Sequence, residues 1–212
     1  MNFRMVACLL LMLIALMATK PASALESAAY ETLLSDGKFE LRLYSEQIRV
    51  ETEVKGSFES AGNRAFRALF NYISGENQSQ QKIAMTAPVS QGAPEKLAMT
   101  RPVSQSSEAD GSWRVGFLVP SQYSVDTAPI PTNPAVKLRV VPAQQMAVVA
   151  YSGTWSDSNY MEQLKLLQEW MASKGLEASG EPTWARYDSP FKPWFLRRNE
   201  ILVPFDEKPA IE

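Results

Sequence analysis

Alternating hydrophobic and polar positions in the first quarter of the chain predict antiparallel strands. Every second residue from Phe39 to Leu43 is apolar, and the run follows Asp36-Gly37, a dipeptide typical of two-residue β-hairpins. A further alternating run covers residues 48–54. Alternation of this kind is typical of an antiparallel sheet with one face in solvent.

The hydrophobic period then changes from two residues to about 3.6, which predicts a helix. Ser57 can cap the start of this helix, and Gly75 can close it after Ile73. Phe66 and Phe70 lie on the shoulder of the apolar face and make it wider than one packing contact requires. The central stripe consists of Ala61, Ala65, Leu69 and Tyr72.

The second half of the chain repeats this order of elements. Asn159 and Glu162 have the spacing of a capping box and predict the start of a second helix, which ends near Gly175. Its apolar stripe is Tyr160, Leu164, Leu167 and Met171. Strands are predicted over residues 113–119, 136–140, 146–151, 184–187 and 200–203, with polar or proline-rich loops over 104–112 and 120–134. The whole pattern predicts an α+β protein with a pseudo-duplicated, barrel-like sheet and two flanking helices.

A ten-residue cassette occurs twice near the middle of the chain. KIAMTAPVSQ covers residues 82–91, and KLAMTRPVSQ covers residues 96–105, with eight identical letters. Pro88 and Pro102 cannot donate to a strand ladder, so each is expected to end or edge a strand. We interpret the copies as two equivalent strands of a broad hairpin at a pseudo-two-fold seam.

The first 24 residues have the pattern of a signal peptide. Arg4 precedes an apolar run over residues 5–18, and Ala22-Ser23-Ala24 supplies a small-x-small cleavage site. The run is shorter than the ~20 residues of a membrane-spanning helix. We therefore expect residues 1–24 to be removed, a single domain over residues 25–212, and a periplasmic or extracellular location without stable membrane insertion.

Composition narrows the possible chemistry. The chain has no histidine, and its one cysteine lies within residues 1–24. This excludes a Ser-His-Asp triad, a thiolate nucleophile and covalent haem attachment in the expected mature chain. Removal of Arg4 and Lys20 changes the net charge from −2 to −4, and no basic block is present, so nucleic acid is not expected as a partner.

Several motifs, taken in order, resemble the SOUL haem-binding protein family. They include the two cassettes, Phe117–Ser121, Gly153-Thr154 before the second helix, and Arg186-Tyr187-Asp188. The clearest is Arg197-Arg198-Asn199-Glu200. The resemblance covers about residues 28–205 and implies a distorted antiparallel β-barrel of two pseudo-symmetric halves with two long helices. This fold is similar to that of the ligand-binding domains of bacterial drug-responsive regulators.

The resemblance also implies non-covalent binding of haem or another tetrapyrrole. The family's ligand face on the first helix corresponds here to Phe66, Leu69, Phe70 and Ile73. Arg67 is a candidate cation beside it, and Lys192, in Pro190-Phe191-Lys192-Pro193, corresponds to a lysine proposed to meet a propionate. Aromatic walls with cations at the rim suit a flat apolar disc that carries two carboxylates.

An iron ligand is less clearly indicated. Without histidine and cysteine, methionine, tyrosine or a carboxylate remains. Met85 and Met99 are candidates because the two cassettes place them identically, although methionine also fills cores. Tyr72 could ligate through its phenolate, with structural burial as the alternative. A loosely held haem without a strong axial bond fits this composition.

The sequence therefore predicts an exported haem or tetrapyrrole carrier or buffer, with a small molecule as its partner and protein partners unknown. Two alternatives remain open. One is a binder of other flat amphipathic molecules, and the other is a tetrapyrrole-modifying enzyme that uses a carboxylate. No carboxylate pair in the sequence stands out for the second alternative.

Overall fold

The computed structural model of the protein describes residues 25–80 and 93–206. Two long helices are present, α1 (Phe58–Ile73) and α2 (Asp157–Ser173). The strands before residue 120 are β1 (Glu26–Ser27), β2 (Tyr30–Asp36), β3 (Phe39–Tyr44), β4 (Gln47–Val54), β5 (Asn77–Gln78), β6 (Thr100–Arg101), β7 (Val103–Ser107) and β8 (Trp113–Leu118). Those after it are β9 (Ile130–Pro131), β10 (Val136–Val141), β11 (Gln144–Tyr151), β12 (Glu177–Ala178), β13 (Thr183–Arg186) and β14 (Asn199–Asp206).

One antiparallel sheet dominates the molecule and curls into a half-barrel. Its strand order is β10-β4-β8-β7-β13-β14-β11-β3-β2, and β12 pairs with β14 beside this path. The order β10-β4-β8-β7 is repeated, in the opposite direction, by β3-β11-β14-β13. Each half thus holds one strand from the other half's stretch of sequence, and β7 meets β13 at the centre. The predicted fold class is confirmed.

Each helix covers one half of the sheet with its apolar stripe. In the first half, Leu69 and Tyr72 of α1 pack with Val50, Val115 and Phe117. In the second half, α2 packs against β11, β13 and β14, and its buried residues there are Leu164, Leu167, Trp170 and Met171. The predicted stripes are therefore core-facing, as the 3.6-residue period indicates. Within the described residues, neither helix combines the length and apolarity needed to cross a membrane.

Most predicted element ends agree with the structure. The β2–β3 hairpin turns at Gly37, whose φ of 63° is accessible to glycine without strain. Ser57 caps α1 by accepting a hydrogen bond from the Ser60 amide. The predicted cap of the second helix is wrong by one turn. Ser156, and not Asn159, is its N-cap, because the Ser156 hydroxyl accepts from the Asn159 amide.

The expected polar loop over residues 104–112 is also wrong in its first part. Residues 103–107 form β7, a central strand that pairs with β8 on one edge and with β13 on the other. Two of its polar side chains, Ser104 and Gln105, are buried and form hydrogen bonds inside the fold. Ser104 donates to the Gly116 carbonyl at 3.1 Å, and Gln105 donates to the Phe58 carbonyl at 3.0 Å.

The second cassette is divided between two short elements. Thr100 and Arg101 form β6, which pairs with β1, and Pro102 ends it. Both edges of β7 are occupied, by β8 and by β13, and the other strand of the predicted hairpin lies outside the described residues. The first cassette, including Met85, lies outside the described residues, as does the predicted signal peptide over residues 1–24.

Candidate functional site

The predicted ligand face of α1 is divided between the core and the surface. Leu69 is fully buried and Ile73 is 7% exposed, so both side chains belong to the first core cluster. Phe66 and Phe70 are 39% and 45% exposed. The helical period therefore directs Leu69 and Ile73 into the core and leaves Phe66 and Phe70 accessible at the edge of the apolar face.

The two exposed rings are neighbours and nearly parallel, and we call this pair the Phe66–Phe70 step. They are one helical turn apart, with ring centroids 5.9 Å apart and ring planes inclined by only 14°. Phe117 of β8 supports the step from below, because its ring meets the Phe66 ring edge-on at 5.4 Å. Phe117 is buried, so the support is fixed by the sheet. No local pattern in the sequence signals this contact, because it joins a helix to a strand that is distant along the chain.

Two arginines on the outer side of α1 differ in their availability. The Arg64 guanidinium already has partners within the protein, since it donates to the Lys55 carbonyl and to the Ser60 hydroxyl. Arg67 is exposed and has no hydrogen bond or ion pair with any residue in the described ranges. Arg67 is thus the cation beside the Phe66–Phe70 step that an acidic ligand edge can engage.

Lys192 lies in a different environment. Its ammonium forms an ion pair with Asp188 at 2.8 Å, and its carbonyl accepts from Arg197 at 2.8 Å. Both contacts join Lys192 to other residues of the loop between β13 and β14. None of the contacts in the described part of the chain joins Lys192 to α1. The structure therefore does not bring Lys192 together with Phe66 and Phe70.

The candidate iron ligands that the structure describes have core roles. Met99 is partly buried and packs against the first core cluster. Tyr72 is buried and donates to the Pro129 carbonyl at 2.8 Å. Burial raises the pKa of the Tyr72 phenol, which favours its protonated, hydrogen-bonding form. Residues 25–80 and 93–206 contain no cluster of three acidic residues placed to hold a metal ion.

A buried ionic cluster lies on the sheet face opposite the helices. Glu200 has no exposed surface and accepts from Arg42 at 2.9 Å and from the Tyr187 hydroxyl at 2.7 Å. Arg198 donates to its other oxygen at 2.5 Å. Burial favours the protonated acid, but these donors outweigh burial and hold the pKa of Glu200 below its usual value. Arg198 and Glu200 thus belong to one buried network, and the sequence did not indicate that Arg42 would join it.

These features define an α+β half-barrel domain with an exposed aromatic step on one of its helices. The sequence model described as SOUL heme-binding protein matches residues 25–204, and the chain belongs to this family.

Two curated relatives are similar over most of their length. Heme-binding protein 1 of Xenopus tropicalis is 26% identical over 77% of this chain and 81% of its own. Heme-binding protein 2 of Mus musculus is 27% identical over 83% of this chain and 82% of its own.

Solved structures share the fold at lower identity. The C-terminal domain of EcmrR has a TM-score of 0.59 at 13% identity and covers 84% of this chain and 99% of its own. A protein described as a hydrolase from Listeria innocua has a TM-score of 0.58 at 12% identity, with 82% and 94% covered. At these identities the likeness establishes the fold alone.

Proposed function

We propose that the protein binds haem or a related tetrapyrrole non-covalently, with the macrocycle lying on the Phe66–Phe70 step. The observation that carries this proposal is the pair of nearly parallel, exposed phenylalanine rings held from below by Phe117. Membership of the SOUL family and the names of the two relatives support it. Flat apolar ligands gain most from offset contact with aromatic rings, and the two partly exposed phenylalanines provide aromatic surface for such contact.

The residues around the step suit the edge of the ligand better than its metal. Bound haem supplies a conjugated apolar face and two propionates. Arg67 can meet a propionate through charge-assisted hydrogen bonds, because its guanidinium has no described partner to give up. Met99 and Tyr72 are held in the core and its hydrogen bonds, so we propose no axial ligand from either of them. The proposed function is therefore binding and not catalysis.

Titration of the purified protein with haem tests the site. We expect a saturable shift of the Soret band, and we expect the double variant Phe66→Ala, Phe70→Ala to bind about tenfold more weakly or worse, since each aromatic contact contributes roughly 0.5–1.5 kcal/mol. Iron-free protoporphyrin IX should bind within about threefold of haem, because no strong axial bond is involved.

Phe191→Ala is the matched control for this titration. Phe191 is 94% exposed in the loop between β13 and β14, so its loss removes an exposed aromatic ring away from α1. It should leave haem affinity unchanged. No Soret shift at micromolar haem would refute the function, and equal haem affinity of the double variant and the wild-type protein would refute the site.

We further propose that the protein acts outside the cytoplasm as a tetrapyrrole carrier or buffer. The charge, apolar run and small-residue motif of residues 1–24 support this location. Expression of the full chain in a bacterial host, followed by N-terminal sequencing of the extracytoplasmic fraction, should find a chain that begins at Leu25. Retention in the cytoplasm with residues 1–24 intact would contradict the proposal.

A further inference from the structure

The loop between β13 and β14 exposes a group of large apolar side chains. Phe191 is almost fully exposed, and Trp194, Phe195 and Leu196 are each more than half exposed. No other large apolar side chain in the described residues exposes so great a fraction of its surface as these four. Large apolar groups that stay together in water typically mark a surface for a protein partner or a membrane. We call these four residues the Phe191–Leu196 patch.

Contacts within the loop fix the position of the patch. The Arg197 guanidinium donates to the Pro190 carbonyl at 2.6 Å and to the Lys192 carbonyl at 2.8 Å. Asp188 accepts from the Lys192 ammonium at 2.8 Å and from the Arg198 amide at 2.6 Å. The loop is therefore ordered before it meets a partner, which reduces the conformational entropy that binding removes.

The residue types and the shape of the patch favour a lipid surface over a protein pocket. Tryptophan is enriched at membrane–water boundaries, and tryptophan, phenylalanine and leucine form the apolar faces of helices that lie in that boundary. Phe191 projects into solvent with almost no protein around it, whereas the residues that dominate protein interfaces lie in packed pockets. A ring that projects in this way can enter the fluid boundary of a membrane without a preformed complementary pocket.

Basic side chains border the patch. Lys192 forms an ion pair with Asp188, and Arg198 forms one with Glu200. Arg197 is different, because its hydrogen bonds go to backbone carbonyls and it forms no ion pair with any residue in the described ranges. Its positive charge is therefore not compensated by a carboxylate of the loop.

Arg101 is a second cation on this side of the molecule. Its guanidinium donates to a backbone carbonyl at 3.2 Å, and it has no ion pair within the described part of the chain. Burial raises the pKa of Asp188, but hydrogen bonds from Arg198 and Lys192, with the charges of Lys192 and Arg101, hold it below its usual value. The field of Arg101 thus reaches the loop that carries the patch.

Carboxylates lie on the other side of the patch, at the start of α2. Glu162 lines the same shallow surface depression as Trp194, and Asp157 is in the first turn of the helix. Exposed charges are screened from one another beyond about 8 Å at physiological salt, so local charges count for more than the net charge of −2. An anionic surface therefore favours the side of Arg101 and Arg197 over the side of α2.

We propose that the Phe191–Leu196 patch docks the protein reversibly on an anionic lipid surface. Phe191 and Trp194 enter the boundary between headgroups and acyl chains, and Arg101 and Arg197 lie beside the lipid phosphates. The chain does not cross the bilayer in this arrangement. The inference goes beyond the proposed tetrapyrrole function, because the Phe66–Phe70 step is on α1 and the patch is in the loop between β13 and β14.

Sedimentation with sucrose-loaded vesicles of phosphatidylcholine and phosphatidylglycerol tests the patch. The chain from Leu25 onward contains all three core clusters, and it is used because the apolar run over residues 5–18 would itself bind lipid. We expect the wild-type chain to bind these vesicles. The double variant Phe191→Ala, Trp194→Ala should bind at least about tenfold more weakly, since it loses the burial of two aromatic side chains.

Arg101→Gln tests the contribution of charge. It should bind the anionic vesicles about fivefold more weakly than the wild-type chain, because one basic residue near an anionic surface contributes about that factor. Its affinity for vesicles of phosphatidylcholine alone should equal that of the wild-type chain. Equal affinity of Arg101→Gln and the wild-type chain for the anionic vesicles would contradict the proposed contact with anionic lipid.

The double variant Phe66→Ala, Phe70→Ala is the matched control, because it removes two exposed aromatic rings from α1. It should bind the vesicles as the wild-type chain does, whatever the outcome of the haem titration. The double variant Phe191→Ala, Trp194→Ala should in turn keep the wild-type haem affinity. Failure of the docking site and failure of the tetrapyrrole site are therefore distinguishable.

Equal vesicle affinity of the wild-type chain and the double patch variant would overturn the proposal. So would an equal loss of binding in the α1 variant, or no binding of the wild-type chain. A wild-type dimer that the patch variant converts to a monomer would show that a second copy, and not lipid, covers the patch. Phe191→Ala alone should weaken binding about threefold, and it keeps the test valid if the double variant does not fold, since this ring lies almost entirely in solvent.

Discussion

Glu200 shows how much of this fold depends on one side chain. Its carboxylate is fully buried and is the common acceptor for Arg42, Tyr187 and Arg198. Arg42 is 2% exposed, so its charge is compensated inside the protein and not by water. Taking charges out of water costs several kcal/mol for each ion, and complete pairing offsets that cost. Loss of either Arg42 or Glu200 removes from the other its most deeply buried ionic partner.

Glu200→Gln therefore destabilises the protein although the side chain keeps its shape. We expect the free energy of unfolding to fall by about 3 kcal/mol at neutral pH, because Arg42 loses its fully buried counter-charge and keeps only the partly exposed carboxylate of Glu40. Urea denaturation followed by circular dichroism measures this change. Glu169→Gln breaks the exposed Lys165–Glu169 pair and is the control, with an expected change within about 0.5 kcal/mol.

The stability difference between the wild-type protein and Glu200→Gln is expected to depend on pH in one direction. Arg42 and the other donors lower the folded-state pKa of Glu200 against the effect of burial, so the unfolded chain binds this proton first as pH falls. The stabilising contribution is complete above the usual pKa of 4.5 and is lost as pH falls through the lowered value. The stability difference between wild type and Glu200→Gln should shrink over that window, and a difference that grows in acid would contradict the assignment.

At the scale of elements, segments with a regular hydrophobic period were predictable from the sequence. A strand whose buried side chains are polar and hydrogen-bonded was not. Helix α1 begins after Ser57 and ends at Ile73, as the cap and the apolar stripe predict. Strand β7 was assigned to a loop because it contains almost no apolar residues. Its place at the centre of the sheet depends on hydrogen bonds to Gly116 and Phe58, which are distant in sequence. Periodicity detects burial of apolar groups only, so it misses a strand of this kind.

The candidate site shows the same limit. The sequence predicted a wide apolar face on α1, and the structure retains Phe66 and Phe70 on the surface. It did not predict that Phe117 would support them or that Lys192 would pair with Asp188. Nor did it indicate that Arg49 of β4 would lie opposite Arg139 of β10, since strand register depends on which strands become neighbours. Local pattern thus determines which residues a helix presents, whereas contacts between strands require the assembled sheet.

At the scale of the whole molecule, exchanged strands join the two halves. Strand β3 precedes α1 in the chain but pairs with β11 in the half covered by α2. Strand β10 follows the first half but pairs with β4. Strands β7 and β13 add a direct ladder between the halves. If the sheet of one half unfolds, the other half loses a strand that it needs. We therefore expect the molecule to unfold as one unit.

Ile201→Ala tests this cooperativity from within the second half. Ile201 is fully buried in the second core cluster, and its truncation should lower the free energy of unfolding by about 2–5 kcal/mol. If the halves unfold together, amide hydrogen exchange measured by mass spectrometry will accelerate by a similar factor in β4 and β8 as in β11 and β14. Leu33→Ala, at a 46% exposed position on the edge strand β2, should leave all four strands unchanged. Acceleration restricted to β11 and β14 would mean that the exchanged strands do not couple the halves, and that each half has a stability of its own.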